Sequence, residues 1–339
     1  MRNEKLRWTD GVVLLDKPGG ISSQKAVTMV KHACQADKAG HTGTLDPLAT
    51  GLLAVCLGEA TKYSQDLFNA DKSYIATLLF GVKTDTGDAE GKIIASVEEP
   101  SEILKESFPL QLQHLIPRFM GKILQVPPMY SAIKRDGRPL YAYAREGEMF
   151  ELEAREVKIT ELEILSCSWP VAVIKVSCSK GTYIRSLISD LGDALGYGAH
   201  MTELRRTRIG HLQLADAQTL EEVSDEVKMM QVDSLITHVP AIILEHHLAL
   251  RLKMGQRIHL RDVMPDGYES ILDAPILRIY HLQQSSEQFM GLVDQKNGVL
   301  HPKRLLATDR LEHVLEQGLI PEYFSSDTSI KHHLQNSHF

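Results

Sequence analysis

Four short segments of this chain carry side chains of the types that can do chemistry together. Asp46 lies in Ala39-Gly-His-Thr-Gly-Thr-Leu-Asp-Pro-Leu-Ala-Thr-Gly51, too rich in Gly, Thr and Pro to form a regular element. Pro47 biases Asp46 towards extended backbone, and Gly43 and Gly51 permit a sharp turn that lets a ligand approach. Taken singly, Asp46 reads more readily as a turn-capping residue than as a ligand contact. Gly181-Thr-Tyr-Ile-Arg185 follows a strand-like run; in extended backbone Tyr183 and Arg185 would face the same side. A guanidinium beside Asp46 would lower its pKa and hold it anionic, as a nucleophile requires, with Tyr183 as an apolar wall. Alone, the segment reads as a helix start with a surface arginine. Lys72-Ser-Tyr74 puts a tyrosine on an alternating strand, where such a residue is usually core. Leu204-Arg-Arg-Thr-Arg208, with His200 and His211 nearby, is a compact basic cluster. It suits phosphate contacts, and a solvated face explains it nearly as well.

Composition excludes several classes of function. Cys34, Cys56, Cys167 and Cys178 form no C-x-x-C pair, and the 15 histidines make no H-E-x-x-H motif, so reduced thiols and no metal are expected. No apolar run approaches the roughly 20 residues that cross a bilayer, and Met1–Asp10 mixes both charge signs. A soluble chain retained in the cytoplasm, with no membrane association, is predicted. The net charge of −7 argues weakly against nucleic acid, but global charge governs solubility, whereas a local groove depends on where basic residues cluster.

At 339 residues the chain fits two domains. A buried strand is predicted over Gly11–Asp16 and an amphipathic helix from a Ser22-Ser23 cap to about Cys34. A strand follows over Leu52–Leu57, a helix over Glu59–Asn69, and a strand over Lys72–Lys83 with Tyr74, Ala76, Leu78 and Phe80 on one face. Helical periodicity covers Ser101 to about Phe119, and Gln125–Phe150 reads as a surface excursion. Strands over Glu151–Cys167 and Pro170–Ser177 precede a helix over Tyr183–Leu195. The irregular alternation indicates an α+β domain with a mixed or antiparallel sheet. Beyond a break near Val239-Pro240, short strands over Ile258–Val263, Ile276–Tyr280 and Phe289–Val293 indicate a small β-rich unit. The expected division is 1–245, 246–308 and a tail, 309–339, whose end frays.

Asp16-Lys-Pro-x-Gly20, the Gly40–Gly51 loop, Lys72-Ser-Tyr74, Gly181–Arg185 and Leu204–Arg208 together, in this order and spacing, resemble the bacterial tRNA pseudouridine-55 synthases, the TruB family. The resemblance spans about Gly11 to Gly210 and continues more loosely to Leu306. It implies a pseudouridine synthase catalytic domain in which Asp46 is the nucleophile, Tyr74 stacks on the uracil and helps move its C5 proton, and Arg185 pairs with Asp46. Tyr183 and Leu204 would line the base pocket, His41 would help hold the extruded base, and Lys17 and Pro18 would give structural support. Gln125–Phe150 falls where stand-alone members carry a thumb-like loop that clamps the TΨC arm. Gly255–Leu260 and Gly298–Leu305 resemble parts of a PUA domain. The implied enzyme needs no cofactor and no guide RNA, acts on the TΨC stem-loop of tRNA and works as a monomer. Lys134, Arg135, Arg205, Arg206 and Arg208 are the candidate RNA-backbone contacts. The alternative is a tRNA-folding or RNA-binding protein in which catalysis is secondary. A carboxylate hydrolase ranks last, because no second acid or metal motif accompanies Asp46.

Overall fold

A computed structural model describes residues 9–264, 271–283 and 286–311. The expected tail beyond 311, and the stretch 265–270, lie outside the described residues. The contacts divide the chain into two units, Met1–Gln231 and Val232–Phe339.

The first unit is built on β1 (Gly11–Lys17), β2 (Ala39–His41), β3 (Thr50–Leu57), β4 (Lys72–Phe80), β5 (Val82–Thr84), β6 (Ile93–Ser96), β7 (Gly121–Gln125), β8 (Lys134–Arg135), β9 (Arg138–Pro139), β10 (Arg155–Ser168), β11 (Val171–Cys178), β12 (Ala199–Ile209) and β13 (Leu212–Gln213). Its helices include α1 (Ser23–Ala33), α2 (Ser64–Asn69), α3 (Glu102–Leu115), α4 (Leu140–Arg145), α5 (Ile184–Leu195) and α6 (Leu220–Asp225). The main sheet runs β1-β3-β12-β4-β11-β10-β7, with β2 on β3 and β13 on β12. All of its pairings are antiparallel except β3 with β12, so the sheet is mixed.

The alternation along β4 buries Tyr74, Ala76, Leu78 and Phe80 against Phe108 and Leu112 of α3 and Ile184, Leu187 and Leu191 of α5. A second core lies under α1, whose Ala26, Val27 and Val30 pack on Val13, Leu15, Leu53 and Val55 of β1 and β3. Ser22 caps α1 by accepting from the Lys25 amide. β1 and β3 are buried along nearly their whole length, which is why they read as unbroken apolar runs.

Three expectations change. The basic cluster Leu204–Arg208 is not wholly a solvated face but part of β12, the strand that joins β3 to β4 at mid-sheet, with the Arg205 side chain partly exposed and Arg206 buried. Ile258–Val263 is not one strand: β15 covers Ile258–His259, and a short helix, α8, takes Leu260–Val263. The segment before 245 belongs with the second unit, because β14 (Ala241–Leu244) pairs in parallel with β16 (Ile276–Gln283). That unit completes its sheet, β14-β16-β17-β18-β15, with β17 (Ser286–Lys296) and β18 (Val299–Leu305). α7 (His246–Lys253) packs Leu248, Ala249 and Leu252 into its core.

The parallel join between β3 and β12 depends on Gly51, which pairs with Arg206 at a φ of 97°. A Cβ there would stand 2.3 Å from the Arg206 carbonyl oxygen, and backbone in mid-sheet has nowhere to yield. Gly51→Ala is expected to cost at least about 2 kcal/mol through combined strain and clash, measured as the shift in urea midpoint.

Candidate active site

Asp46 sits on the loop from β2 to β3, and that loop is pinned from several sides. The Ser23 hydroxyl donates to the Leu45 carbonyl and accepts from the Leu45 amide, each at 2.8 Å. The Gly20 amide donates to the Pro47 carbonyl at 2.9 Å, and Lys17 Nζ reaches the same oxygen at 3.4 Å. The Ala49 amide closes a turn onto the Asp46 carbonyl, and His41 Nδ1 accepts from the Gly43 amide at 3.2 Å. From below, Arg206 donates to the carbonyls of Gly43 and Thr44. A carboxylate on a loop so constrained is pre-organised, and no ordering is left to do when a substrate arrives.

Arg185 Nε lies 3.0 Å from Asp46 Oδ2. The guanidinium is itself fixed. It donates through Nη1 to the Thr86 carbonyl at 2.9 Å and through Nη2 to the Tyr130 carbonyl at 2.8 Å, and Nη1 stands 3.5 Å from Asp88 Oδ2. The strand-face argument for Tyr183 and Arg185 does not hold, because Tyr183 is the extended residue before α5 and Arg185 lies in the first helical turn. The side chain reaches Asp46 from the helix instead. Gln125, at the end of β7, accepts from the Tyr183 amide and donates to its carbonyl, fixing the entry to α5.

Tyr74 and Leu204 lie in the same buried cluster as Leu45, Asp46's neighbour, and both Tyr74 and Tyr183 feel the Asp46 charge. Asp46 and Arg185 are thus in contact, Tyr74 and Tyr183 lie within reach of the Asp46 charge, and Leu204 shares the buried cluster of Tyr74. His41 stands on β2 at the start of the pinned loop, where burial and the nearby Arg206 charge lower its pKa. The RNA-backbone candidates separate. Lys134 and Arg135 are exposed on the β8–β9 hairpin. Arg205 forms an ion pair with Asp16 at 2.6 Å, and Arg208 donates to the Ser73 hydroxyl and the Gly210 carbonyl. Arg206 is a correction: at 1% exposure, turned inward on β12, it has no route to a phosphate.

Electrostatics also revise one expectation. Burial in the cleft raises the Asp46 pKa, and Asp88 adds to the rise; Arg185 and Lys17 oppose it without overcoming it. Burial brings the Lys17 ammonium down to about 8 despite Asp46, while it donates to the Pro18 and Ile21 carbonyls at 2.8 Å. A carboxyl whose pKa is raised loses its charge on acidification sooner than an ordinary aspartate. Activity that needs the Asp46 anion should therefore fall, as pH decreases, above the usual aspartate range. Arg185→Lys, which weakens the opposing attraction, should move that acid limb of kcat/KM to still higher pH. An unmoved limb would show that Asp46 is not the group being titrated.

Sequence reasoning missed Asp88 and misplaced Arg206 at the surface. Asp88 is 4% exposed and held by the Thr86 hydroxyl and the Glu90 amide. Nothing local distinguishes it from an ordinary turn aspartate, since only the fold brings Arg185 beside it. Arg206 left a signal that period-two reading would have caught, for it alternates with the buried Leu204.

Residues 31–184 match the profile of the TruB family pseudouridylate synthase N-terminal domain, and residues 185–250 match that of the tRNA pseudouridylate synthase B C-terminal domain. The chain belongs to the TruB family of pseudouridylate synthases. A relative named tRNA pseudouridine synthase B from Burkholderia mallei is 46% identical over 310 residues, covering 89% of this chain and 98% of the relative. One of the same name from Cupriavidus pinatubonensis is 46% identical over 309 residues, covering 88% and 95%. Among solved structures, the Cbf5-Nop10-Gar1 complex contains a chain that superposes with a TM-score of 0.62 at 24% identity, over 91% of this chain and 92% of that one. A chain of an H/ACA RNP bound to a substrate RNA gives 0.60 at 23%, over 88% and 86%. At those identities the likeness is one of fold, and it supports the α+β pseudouridine synthase architecture with a β-rich second unit. Among the described residues no helix is long and apolar enough to cross a membrane.

Proposed function

We propose that this pseudouridine synthase converts the uridine at position 55, in the TΨC loop of tRNA, to pseudouridine, with Asp46 as the nucleophile. The observation that carries the reading is the 3.0 Å contact of Arg185 with Asp46, on a pinned loop whose Leu45 shares a buried cluster with Tyr74 and Leu204. The reaction breaks the bond from C1′ to N1, turns the base and joins C5 to C1′. The proton on C5 is lost and N1 gains one, so the product is an isomer, and no oxidant or reductant enters. The protein must supply an anion held in place and a slot in which a detached pyrimidine can rotate. Asp46 is the anion, steadied by Arg185. Tyr74, Tyr183 and Leu204 are the slot, whose stacking and apolar contacts bind the ring without fixing one orientation.

A stacked uridine must leave its loop to reach Asp46, at a cost of a few kcal/mol that pocket and phosphate contacts offset. The excursion 125–150 offers such contacts. Lys134 and Arg135 are exposed, and Arg135, Arg138 and Arg145 stand 4.2, 4.6 and 5.4 Å over the rings of Phe150, Tyr143 and Tyr141. Planar cations stacked on aromatics can present their edge donors to phosphate, though Arg138 already gives to Glu146 and to the Ala142 carbonyl. Because the Tyr130 carbonyl accepts from Arg185, this RNA-facing segment is tied directly to the catalytic pair. The second unit acts as a PUA-like RNA-binding module, and the enzyme works in the cytoplasm as a monomer, without guide RNA. Incubation of the protein alone with an unmodified tRNA transcript, with pseudouridine mapped at nucleotide resolution, is expected to place the product at position 55. No product on a bare transcript would overturn the stand-alone reading, and product elsewhere the choice of site.

A further inference from the structure

The largest fully buried side chain in the described structure is a cation, Arg206. A guanidinium removed from water is costly unless every donor is used and an anion is near. Each of its three nitrogens is engaged: Nε gives to the Leu52 carbonyl at 2.7 Å, Nη2 to Gly43 at 3.1 Å and Nη1 to Thr44 at 3.4 Å. Among the described residues no carboxylate pairs with it. What stands beside it instead is Tyr74, its directly paired neighbour across β4 and β12, buried like it and close enough for the two charges to act on each other. One side chain therefore grips the loop that carries Asp46 and stands opposite Tyr74 in the sheet. Arg206 could be met by leucine or methionine if only filling were required, since apolar replacements of buried charges are commonly neutral or stabilising.

We propose that Arg206 is a positioning residue for the reaction: it holds the Tyr74 phenol oxygen in register with Asp46 and is the fixed positive charge against which that oxygen receives the C5 proton. The proposal rests on the pseudouridine-forming reading above. Once C5 has joined C1′, that carbon still carries its hydrogen. The C–H bond breaks, its electron pair returns to the ring, and the proton passes to the deprotonated oxygen of Tyr74, which becomes a neutral phenol and later returns the proton to solvent. An oxygen that must be an anion in a site cut off from water requires a neighbouring cation that is fixed beforehand. Burial alone opposes that anion, and Arg206 is the group placed to counter it.

The test is a double-mutant cycle read as single-turnover pseudouridine formation on an unmodified transcript, with transcript affinity measured alongside. Arg206→Gln, Tyr74→Phe and the double variant are compared with wild type over hours. Arg206→Gln is expected to slow turnover about 100-fold with affinity little changed, and to cost about tenfold less in the Tyr74→Phe background. Additive losses, within about twofold, would overturn the proposal, because the arginine would then act without the phenol. Where the glutamine variant fails to fold by circular dichroism, or Tyr74→Phe has no measurable rate, Arg206→Lys is set against Arg206→Met. Lysine, keeping the charge, is expected to be at least about tenfold faster than methionine, and equal rates would overturn the proposal. A wild-type protein that makes no pseudouridine would instead sink the functional reading on which it depends.

Discussion

Asp46→Asn protein is expected to bind an unmodified tRNA transcript with near wild-type affinity and to form pseudouridine on the order of 10⁴-fold more slowly. The substitution keeps the shape of the side chain and removes its charge. The loop around it is held by Ser23, Gly20, Lys17 and Arg206 through backbone atoms, so its path does not depend on the carboxylate. In the proposed reading, binding uses the exposed basic and aromatic residues of 125–150, which the change leaves alone. The raised pKa of Asp46 gives the prediction a second part. A carboxyl with a raised pKa in the native state costs stability where it is ionised, and that cost vanishes as pH falls through the native pKa. Near pH 7 the asparagine variant should therefore unfold no lower than wild type. Wild-type turnover by the pure variant would refute the assignment of Asp46, and a large loss of affinity would mean the loop had collapsed.

Arg185→Met should be the most destabilising change in the site, at about 3–5 kcal/mol, because it breaks a buried ion cluster from its centre. The guanidinium sits between Asp46 and Asp88 with its side chain 6% exposed, and the Asp88 side chain is equally buried. Without it Asp88 keeps only the Thr86 hydroxyl and the Glu90 amide, and the carbonyls of Thr86 and Tyr130 lose a donor. In a unit of this size such a loss lowers Tm on the order of 10 °C. Turnover should fall as well, through Asp46, and the 125–150 segment should loosen at Tyr130. Adding Asp88→Asn should recover part of the stability and none of the turnover. A single variant that unfolds within about 1 kcal/mol of wild type at pH 7 would show that the cluster contributes little to holding the site.

Individual residues show how much of this was legible beforehand. The Asp46 loop announced itself by composition, since Gly43, Pro47 and Gly51 dictate a fixed, irregular path between two apolar runs. Tyr74 was legible in its alternation with Ala76, Leu78 and Phe80, and α1 in its serine cap. The basic cluster was misleading because charge was read before period. Three arginines in five residues look like surface, yet on a strand they alternate, and one of them, Arg206, turns inward. Asp88 could not be found at all, because its role exists only through a contact with Arg185, 97 positions away.

The sequence by itself determined the family motifs, the loop that carries the candidate carboxylate Asp46 and many of the local conformations, because turns, caps and alternating strands are set by neighbours along the chain. Tertiary structure alone decided that burial outweighs Arg185 and raises the Asp46 pKa, that Arg185 approaches from a helix, and that a buried arginine paired with Tyr74 in the sheet holds the Asp46 loop. Those are properties of desolvation and of distances through space, and both arise only when β3, β4, β12 and α5 pack together.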